Sequence, residues 1–260
     1  MYINNLDPVL FSLGPLAIRW YGLAYLMGIF CGFQIIKKIK KDVITDQQLE
    51  SLLQYNVFGI ILGGRIGYCL FYNLGFYLSH PLEIFMLWHG GMSFHGGLIG
   101  VILANLIFSK KECVSFFKIT DLIVYALPAG LFFGRIANFI NGELVGRVCN
   151  AGICVIFPRY DYQPRYPSQI YEAIGEGLIL GMLIYVLSKR VHQPGIISSV
   201  FLMYYGFIRL ALEQFREPDV QIGYLYFGLT MGQCLSFIML FLGLILLGYV
   251  TKNPNNNYGL

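Results

Sequence analysis

The run LIVYALPAGLFF, Leu122 to Phe133, continues without a break into GRIANFINGELVG, Gly134 to Gly146. An apolar stretch is thus followed at once by an arginine, two asparagines and a glutamate. An ionised side chain in hydrocarbon is costly, so a charge at the end of such a run needs a partner or a task. If the run crosses a bilayer, its polar end can bind a charged lipid head group. The stretch points to chemistry at a membrane surface rather than to a soluble enzyme.

The composition agrees. The 260-residue chain is 57% hydrophobic and 12% charged, and its mean hydropathy is +0.63. Soluble domains carry roughly 25% charged residues, so this chain cannot cover itself with polar surface in water. A span needs about 20 apolar residues to cross the hydrocarbon, which leaves room for several spans and no large soluble domain. The net charge of +4 does not imply nucleic acid, because the basic residues sort by membrane side. Met1 to Pro15 lacks the basic n-region of a secretory signal, and the first apolar segment is expected to stay in the mature protein. The six cysteines, at 31, 69, 113, 149, 154 and 234, show no zinc-ligand spacing, so no metal is expected. Cys149 and Cys154 share a loop and can pair if it faces an oxidising compartment.

Seven segments fit the span template, near 16–36, 52–72, 91–109, 119–140, 169–188, 195–215 and 228–250. The reading is an all-α integral membrane protein, a seven-helix bundle forming a single membrane domain. A small cap over about 142–168 is rich in Gly, Pro, Arg and Tyr, and the tail from Asn253 to Leu260 is polar. Lys37, Lys38, Lys40, Lys41, Lys110, Lys111, Lys118, Lys189, Arg190 and Lys252 all fall on one side of this arrangement. Arg147, Arg159, Arg165 and Arg216 fall in the opposite loops. The positive-inside rule makes the first side cytoplasmic, with the N-terminus and cap periplasmic and the C-terminus inside. Glycine pairs four residues apart, Gly59/Gly63, Gly63/Gly67, Gly96/Gly100 and Gly177/Gly181, predict close helix packing.

With that orientation six spans bring polar groups to the outer half: Arg19, Trp20 and Tyr21, Arg65, His95, Arg135 and Asn138, Glu172 and Glu176, and Arg209, Glu213 and Arg216. Asp121 is the main acid near an inner end. The asymmetry suggests a cavity open to the outer leaflet. The same charges also read as structural ion pairs that hold the bundle together. A transporter or anion channel would need charges continuing through the inner half, and a seven-span receptor would show a long signalling loop or tail. Neither is present in the sequence.

The run Gly134 to Gly146 resembles the signature of bacterial prolipoprotein diacylglyceryl transferases, with Ala137 as the smaller-residue alternative. WHGGMSFHGG, Trp88 to Gly97, resembles a second block of that family. Further blocks in the same order are Arg19 to Gly22, Leu62 to Tyr68, Pro167 to Glu172 and Tyr205 to Arg209. The resemblance implies a multi-pass enzyme of the bacterial inner membrane. It would move the diacylglyceryl group of phosphatidylglycerol to the lipobox cysteine of prolipoproteins, forming a thioether and releasing glycerol phosphate. By motif match Arg135 binds the head group, and Tyr21, His95, Asn138, Glu143, Gly146, Tyr205 and Arg209 carry important roles.

The chemistry suits these residues. A thiol of pKa about 8.5 must ionise, and electropositive surroundings help it do so. Charge on the departing phosphate must be held, for which guanidinium forks are suited. Arg135 and Arg209 are the candidates for the phosphate and His95 for base or proton relay. These three are the expected catalytic groups. Arg65, Tyr21 and Tyr205 are expected around the lipid. Asn138 and Glu143 bind the glycerol hydroxyls or hold Arg135. No cofactor is expected, because the reacting carbon is already activated by its phosphate ester.

Overall fold

A computed structural model describes residues 1–14, 16–40, 43–218, 223–225 and 228–253. Pro15, Lys41 and the tail beyond Asn253, which enter the sequence reading above, lie outside the described residues. Met1–Lys38 and the described chain from Asp121 to Asn253 form one compact unit, and Ile39–Thr120 a second.

In the first unit the N-terminus is extended rather than helical. Strand β1 (Tyr2–Ile3) precedes a hairpin of β2 (Val9–Leu13) and β3 (Leu16–Arg19). Gly14 at φ +57° makes the turn, a conformation that costs glycine little. The expected first span from 16 therefore begins later, as α1 (Trp20–Ile39), with the Trp20 amide donating to the Pro8 carbonyl at 3.0 Å.

The second unit contains α2 (Asp46–Phe71), α3 (Leu74–Ser79), two short 3-10 turns (Pro81–Phe85 and Leu87–His89) and α4 (Phe94–Glu112). A reciprocal cap of Thr45 and Gln48 starts α2 earlier than its apolar run, because the cap satisfies two amides that the helix itself leaves open. α2 and α4 pack backbone to backbone. A methyl on Gly59 would lie 2.7 Å from the Gly100 oxygen, and one on Gly67 2.7 Å from the Gly96 Cα. The expected close approach at these glycines is present. Asn56 and Asn105 exchange amide bonds of 3.2 and 3.1 Å across the same contact.

The chain returns to the first unit in α5 (Phe116–Asn141). Gly28 and Gly130 bring α1 and α5 together, a Cβ on Gly28 standing 3.1 Å from the Gly130 Cα. Strands β4 (Val155–Ile156) and β5 (Pro164–Arg165) follow. β1 pairs parallel with β4, and β4 antiparallel with β5, so the N-terminus is tied to the segment after α5. These strands qualify the all-α expectation. Cys149 and Cys154 form a disulfide in this segment, with Cα atoms 5.8 Å apart.

Helix α6 (Ser168–Glu172) runs into a π-helical stretch, Ala173–Ile179, and then α7 (Leu180–Ser188). α8 (Ile196–Leu212) and α9 (Met231–Lys252) complete the unit. Leu180, Ile184, Ile197 and Phe201 form its apolar core with Val124 of α5. Asp121 is tied to the start of α8: it accepts from the Gly195 and Ser198 amides at 2.7 and 2.8 Å and from the Ser198 hydroxyl at 2.6 Å.

Four helices among the described residues are long and apolar enough to cross a membrane: Trp20–Ile39, Phe116–Asn141, Ser168–Ser188 and Met231–Lys252. Helix α8 is apolar but shorter. α2 and α4 cover the second and third expected spans, with glycine and asparagine among the residues at their contact.

Candidate active site

Two helices of the first unit present polar side chains in step. On α5, Arg135, Asn138 and Asn141 recur every third residue, and on α6 and its π-helical continuation Gln169, Glu172 and Glu176 do the same at three and four. Residues so spaced share one helix face. Arg135 Nε and Nη2 both donate to Glu176 Oε2, at 3.1 and 3.0 Å. Arg135 Nη1 lies 3.0 Å from Glu172 Oε2, an ion pair without hydrogen-bond alignment. Glu172 and Glu176 are both 0% exposed. Two buried carboxylates at that depth require cations, and the π-helical turn that carries Glu176 sits where such irregularities are often functional.

Helix α8 brings the second cation. Arg209 Nη1 donates to Glu172 Oε1 at 2.5 Å, and Nη2 stands 2.6 Å from Glu213 Oε2. Glu172 is therefore shared, and Arg216 Nη1 approaches it at 3.6 Å. The Thr230 hydroxyl, which caps α9, donates to Glu213 Oε1 at 2.8 Å. The arginines are thus not loose, and each is aimed by carboxylates on neighbouring helices. Tyr205, half-buried one turn before Arg209, lies within the field of Arg135, Arg209, Glu172 and Glu176.

One turn beyond Arg135 the helix face carries amides gathered on Glu143. Asn138 Nδ2 and Asn141 Nδ2 each donate to Glu143 Oε1 at 3.1 Å, and Gln169 Nε2 donates to the Glu143 carbonyl at 2.8 Å. Tyr21 packs on Tyr25 with ring centroids 5.1 Å apart, and the Tyr25 hydroxyl interacts with both Tyr21 and Glu143.

Gly146 closes this end. Its amide donates to the Tyr166 carbonyl at 3.1 Å, and it bridges to Arg216. A Cβ there would fall on the Tyr166 carbonyl oxygen and 2.7 Å from that of Phe215. Only glycine lets these backbones meet. Arg165 fixes the segment further, with Asp161 at 2.6–3.0 Å, the Gly146 carbonyl at 2.9 Å and Glu217 at 3.3 Å. The Arg165 guanidinium, through these hydrogen bonds, holds the Asp161 carboxyl below the usual carboxylate range.

Arg65 and His95 belong to the second unit. Arg65, expected at the lipid, commits all five N–H groups to main-chain carbonyls: Ile84 at 2.8 Å, Glu83 at 2.5 Å, Gly91 and Met86 at 3.1 Å, and Gly90. It sits 5.3 Å from the Tyr77 ring centroid and is 3% exposed. It clamps residues 83–91. His95 is exposed in the first turn of α4, behind the N-cap Ser93 and edge-on to Phe94.

The structure thus joins Arg135, Arg209 and Tyr205 in one cluster, and Asn138 and Glu143 in the adjoining one. Glu172, Glu176, Glu213 and Arg216 were visible in the sequence as span-end charges but not as site residues. Gln169 stood inside the Pro167 to Glu172 block without being singled out, and Thr230 gave no signal of its own. Among the described residues no group of three or more His, Cys, Asp or Glu side chains is placed to hold a metal ion.

A family model described as prolipoprotein diacylglyceryl transferase matches residues 8–249. The chain belongs to the prolipoprotein diacylglyceryl transferase family. Both polar clusters and Arg65 fall inside the matched region. Among relatives of this transferase family, the phosphatidylglycerol–prolipoprotein diacylglyceryl transferase of Rickettsia bellii (strain OSU 85-389) is 51% identical over 254 residues, covering 95% of this chain and 96% of the relative. That of Rickettsia felis is 48% identical over 250 residues, covering 94% and 96%. That of Rickettsia africae is 48% identical over 262 residues, covering 98% and 99%. Family membership makes the chain a transferase, and its apolar helices make it a membrane protein.

Proposed function

We propose that this transferase moves the diacylglyceryl group of phosphatidylglycerol onto the lipobox cysteine of prolipoproteins, at the outer face of the bacterial inner membrane. The proposal includes seven spans, an outer N-terminus, an inner C-terminus and a periplasmic cap. The lysine distribution supports that orientation, as does the Cys149–Cys154 disulfide in the cap segment, since such bonds persist in oxidising compartments.

The observation that carries the proposal is the incomplete commitment of Arg135. Two of its N–H groups donate to Glu176 and Nη1 only pairs with Glu172 without a hydrogen bond, whereas a guanidinium has five N–H groups. The carboxylates fix the fork while the remaining N–H groups can donate to a phosphate oxygen. Arg209 is held in the same way by Glu172 and Glu213. Donors already aimed need no reorganisation when charge develops, and in a water-poor site their attraction exceeds its value in water.

In the reaction the cysteine thiolate attacks the diacylglyceryl carbon that bears the phosphate ester. The new C–S bond forms as the C–O bond breaks, and the electron pair leaves on glycerol phosphate beside the two arginines. The thiol proton goes to a base, a role we assign to His95 because of its exposed position at the start of α4. Tyr21 and Tyr205 orient the head group, and Asn138 and Glu143 lie at its glycerol. Arg65 acts as a positioning residue for the segment that precedes His95. Gly146 is the close contact that seats the cap. The test is transfer of labelled diacylglyceryl from phosphatidylglycerol to a lipobox peptide by the purified chain in proteoliposomes. A thioether product supports the reading, and unmodified peptide with intact lipid refutes it.

A further inference from the structure

Two buried amide oxygens at this site have no hydrogen-bond partner among the described residues: Asn141 Oδ1 and Gln169 Oε1. Their orientation is not arbitrary. Asn141 must turn its NH2 toward Glu143 Oε1, 3.1 Å away, because a carboxylate can only accept. Gln169 must turn its NH2 toward the Glu143 carbonyl, 2.8 Å away, for the same reason. Flipping either amide would set oxygen against oxygen. Both carbonyl oxygens are therefore forced to the side away from Glu143, and Gln169 is itself 0% exposed. A buried acceptor without a donor is costly, so two on residues that both bond Glu143 call for an explanation.

Their place in the fold supplies one. Asn141 lies six residues after Arg135 on α5, with Asn138 between, and Gln169 lies three residues before Glu172 on α6. At 1.5 Å per residue, three residues are about 4.5 Å along a helix. The acceptors thus follow the arginine cluster by one to two turns on both facing helices. A molecule with its phosphate at Arg135 presents its next few atoms to this acceptor-lined step.

Resting on the transferase reading above, we infer that Asn141 and Gln169 are specificity-determining residues that read the two free hydroxyls of the lipid's glycerol head group. A hydroxyl supplies the donor that each amide oxygen lacks. A head group without hydroxyls leaves those oxygens buried and unpaired, and sites of this kind discriminate strongly against the analogue that lacks the donor.

The test uses the full chain in proteoliposomes, a lipobox peptide, and three donor lipids. These are phosphatidylglycerol, phosphatidyl-1,3-propanediol, which lacks the central hydroxyl, and phosphatidyl-1,2-propanediol, which lacks the terminal one. The expected result is that kcat/KM of the parent falls about tenfold when a hydroxyl is removed. Gln169→Met and Asn141→Leu should each be slowed on phosphatidylglycerol yet lose the discrimination against one of the two analogues. A merely structural defect would slow all three donors alike. Equal use of the three lipids by the parent overturns the inference, as does uniform slowing in both variants. If Gln169→Met does not fold, Asn141→Leu, at the half-buried helix end, decides the matter alone. A parent inactive with phosphatidylglycerol itself instead refutes the transferase reading, and the inference falls with it.

Discussion

Arg135 grips a single oxygen of Glu176 with two nitrogens, Nε at 3.1 Å and Nη2 at 3.0 Å. The pairing uses the arginine's inner edge and a carboxylate that is 0% exposed. The glutamate can therefore serve as a stop that sets where the guanidinium points. Glu172 extends the arrangement by bridging Arg135 at 3.0 Å and Arg209 at 2.5 Å. The two arginines are thus held by one shared anion.

A lysine at position 135 keeps the charge but loses the planar fork. Arg135→Lys is expected to lower kcat by about a hundredfold or more, in the range seen when one oriented donor is removed from a charge-stabilising site. Steady-state transfer to a lipobox peptide measures this. Activity near that of the parent would mean that the fork is not needed.

Removing the guanidinium entirely strands the buried Glu176 carboxylate, whereas Glu172 keeps Arg209. Arg135→Ala should therefore destabilise the first unit by about 3–5 kcal/mol as well as stop transfer. The paired variant Arg135→Ala/Glu176→Gln should recover part of that stability and none of the activity. Thermal melting in detergent beside the transfer assay separates the two effects.

Gly146→Ala drives a methyl onto the Tyr166 carbonyl oxygen and to 2.7 Å from that of Phe215. Both obstacles are main chain and cannot rotate aside. A loss of about 1–3 kcal/mol is expected from overpacking, with the segment around Arg165 released first. Limited proteolysis between 146 and 166 reports it, and a melting temperature equal to that of the parent would count against the close contact.

Arg65→Met should leave the carbonyls of Glu83, Ile84, Met86, Gly90 and Gly91 without their shared donor. Because Arg65 has no N–H group left for a phosphate, its loss should appear as faster hydrogen exchange over residues 83–91. The KM for phosphatidylglycerol should change less than it does in Arg135 variants. A rise in KM with unchanged exchange would return Arg65 to the lipid.

Acid should loosen the segment after α5. The Asp161 carboxyl is held below its ordinary value of 3.8, first by the hydrogen bond from Arg165. A depressed carboxylate contributes stability that is fully present above the unfolded pKa and disappears as pH falls through the folded one. Melting curves of the parent should therefore weaken as pH falls from about 5 to about 3, and Asp161→Asn should flatten part of that dependence. An identical pH profile in the variant would contradict the assignment.

The sequence made the ladder on α5 legible, because Arg135, Asn138 and Asn141 recur at helical spacing at the end of an apolar run. It also made the glycine contact of α2 and α4 legible, since four-residue spacing puts Gly59, Gly63 and Gly67 on one face. It did not show that Arg65 turns its donors to carbonyls 18 to 26 residues away. That depends on how the connection after α3 folds back. Nor did it show the strands of the N-terminus, since β1 forms only by pairing with Val155 and Ile156. The π-helical turn at Glu176 and the reach of Thr230 to Glu213 likewise arise from contacts between distant segments. Residue types and periods could be read in advance, whereas partners across long separations could not.

The most direct test follows diacylglyceryl transfer and phosphatidylglycerol binding together for Arg135→Gln and Arg209→Gln, each confirmed as inserted and folded by its melting curve. Both variants should bind the lipid more weakly and form at most about one hundredth of the parent's thioether product. Either variant turning over at the parental rate would contradict it.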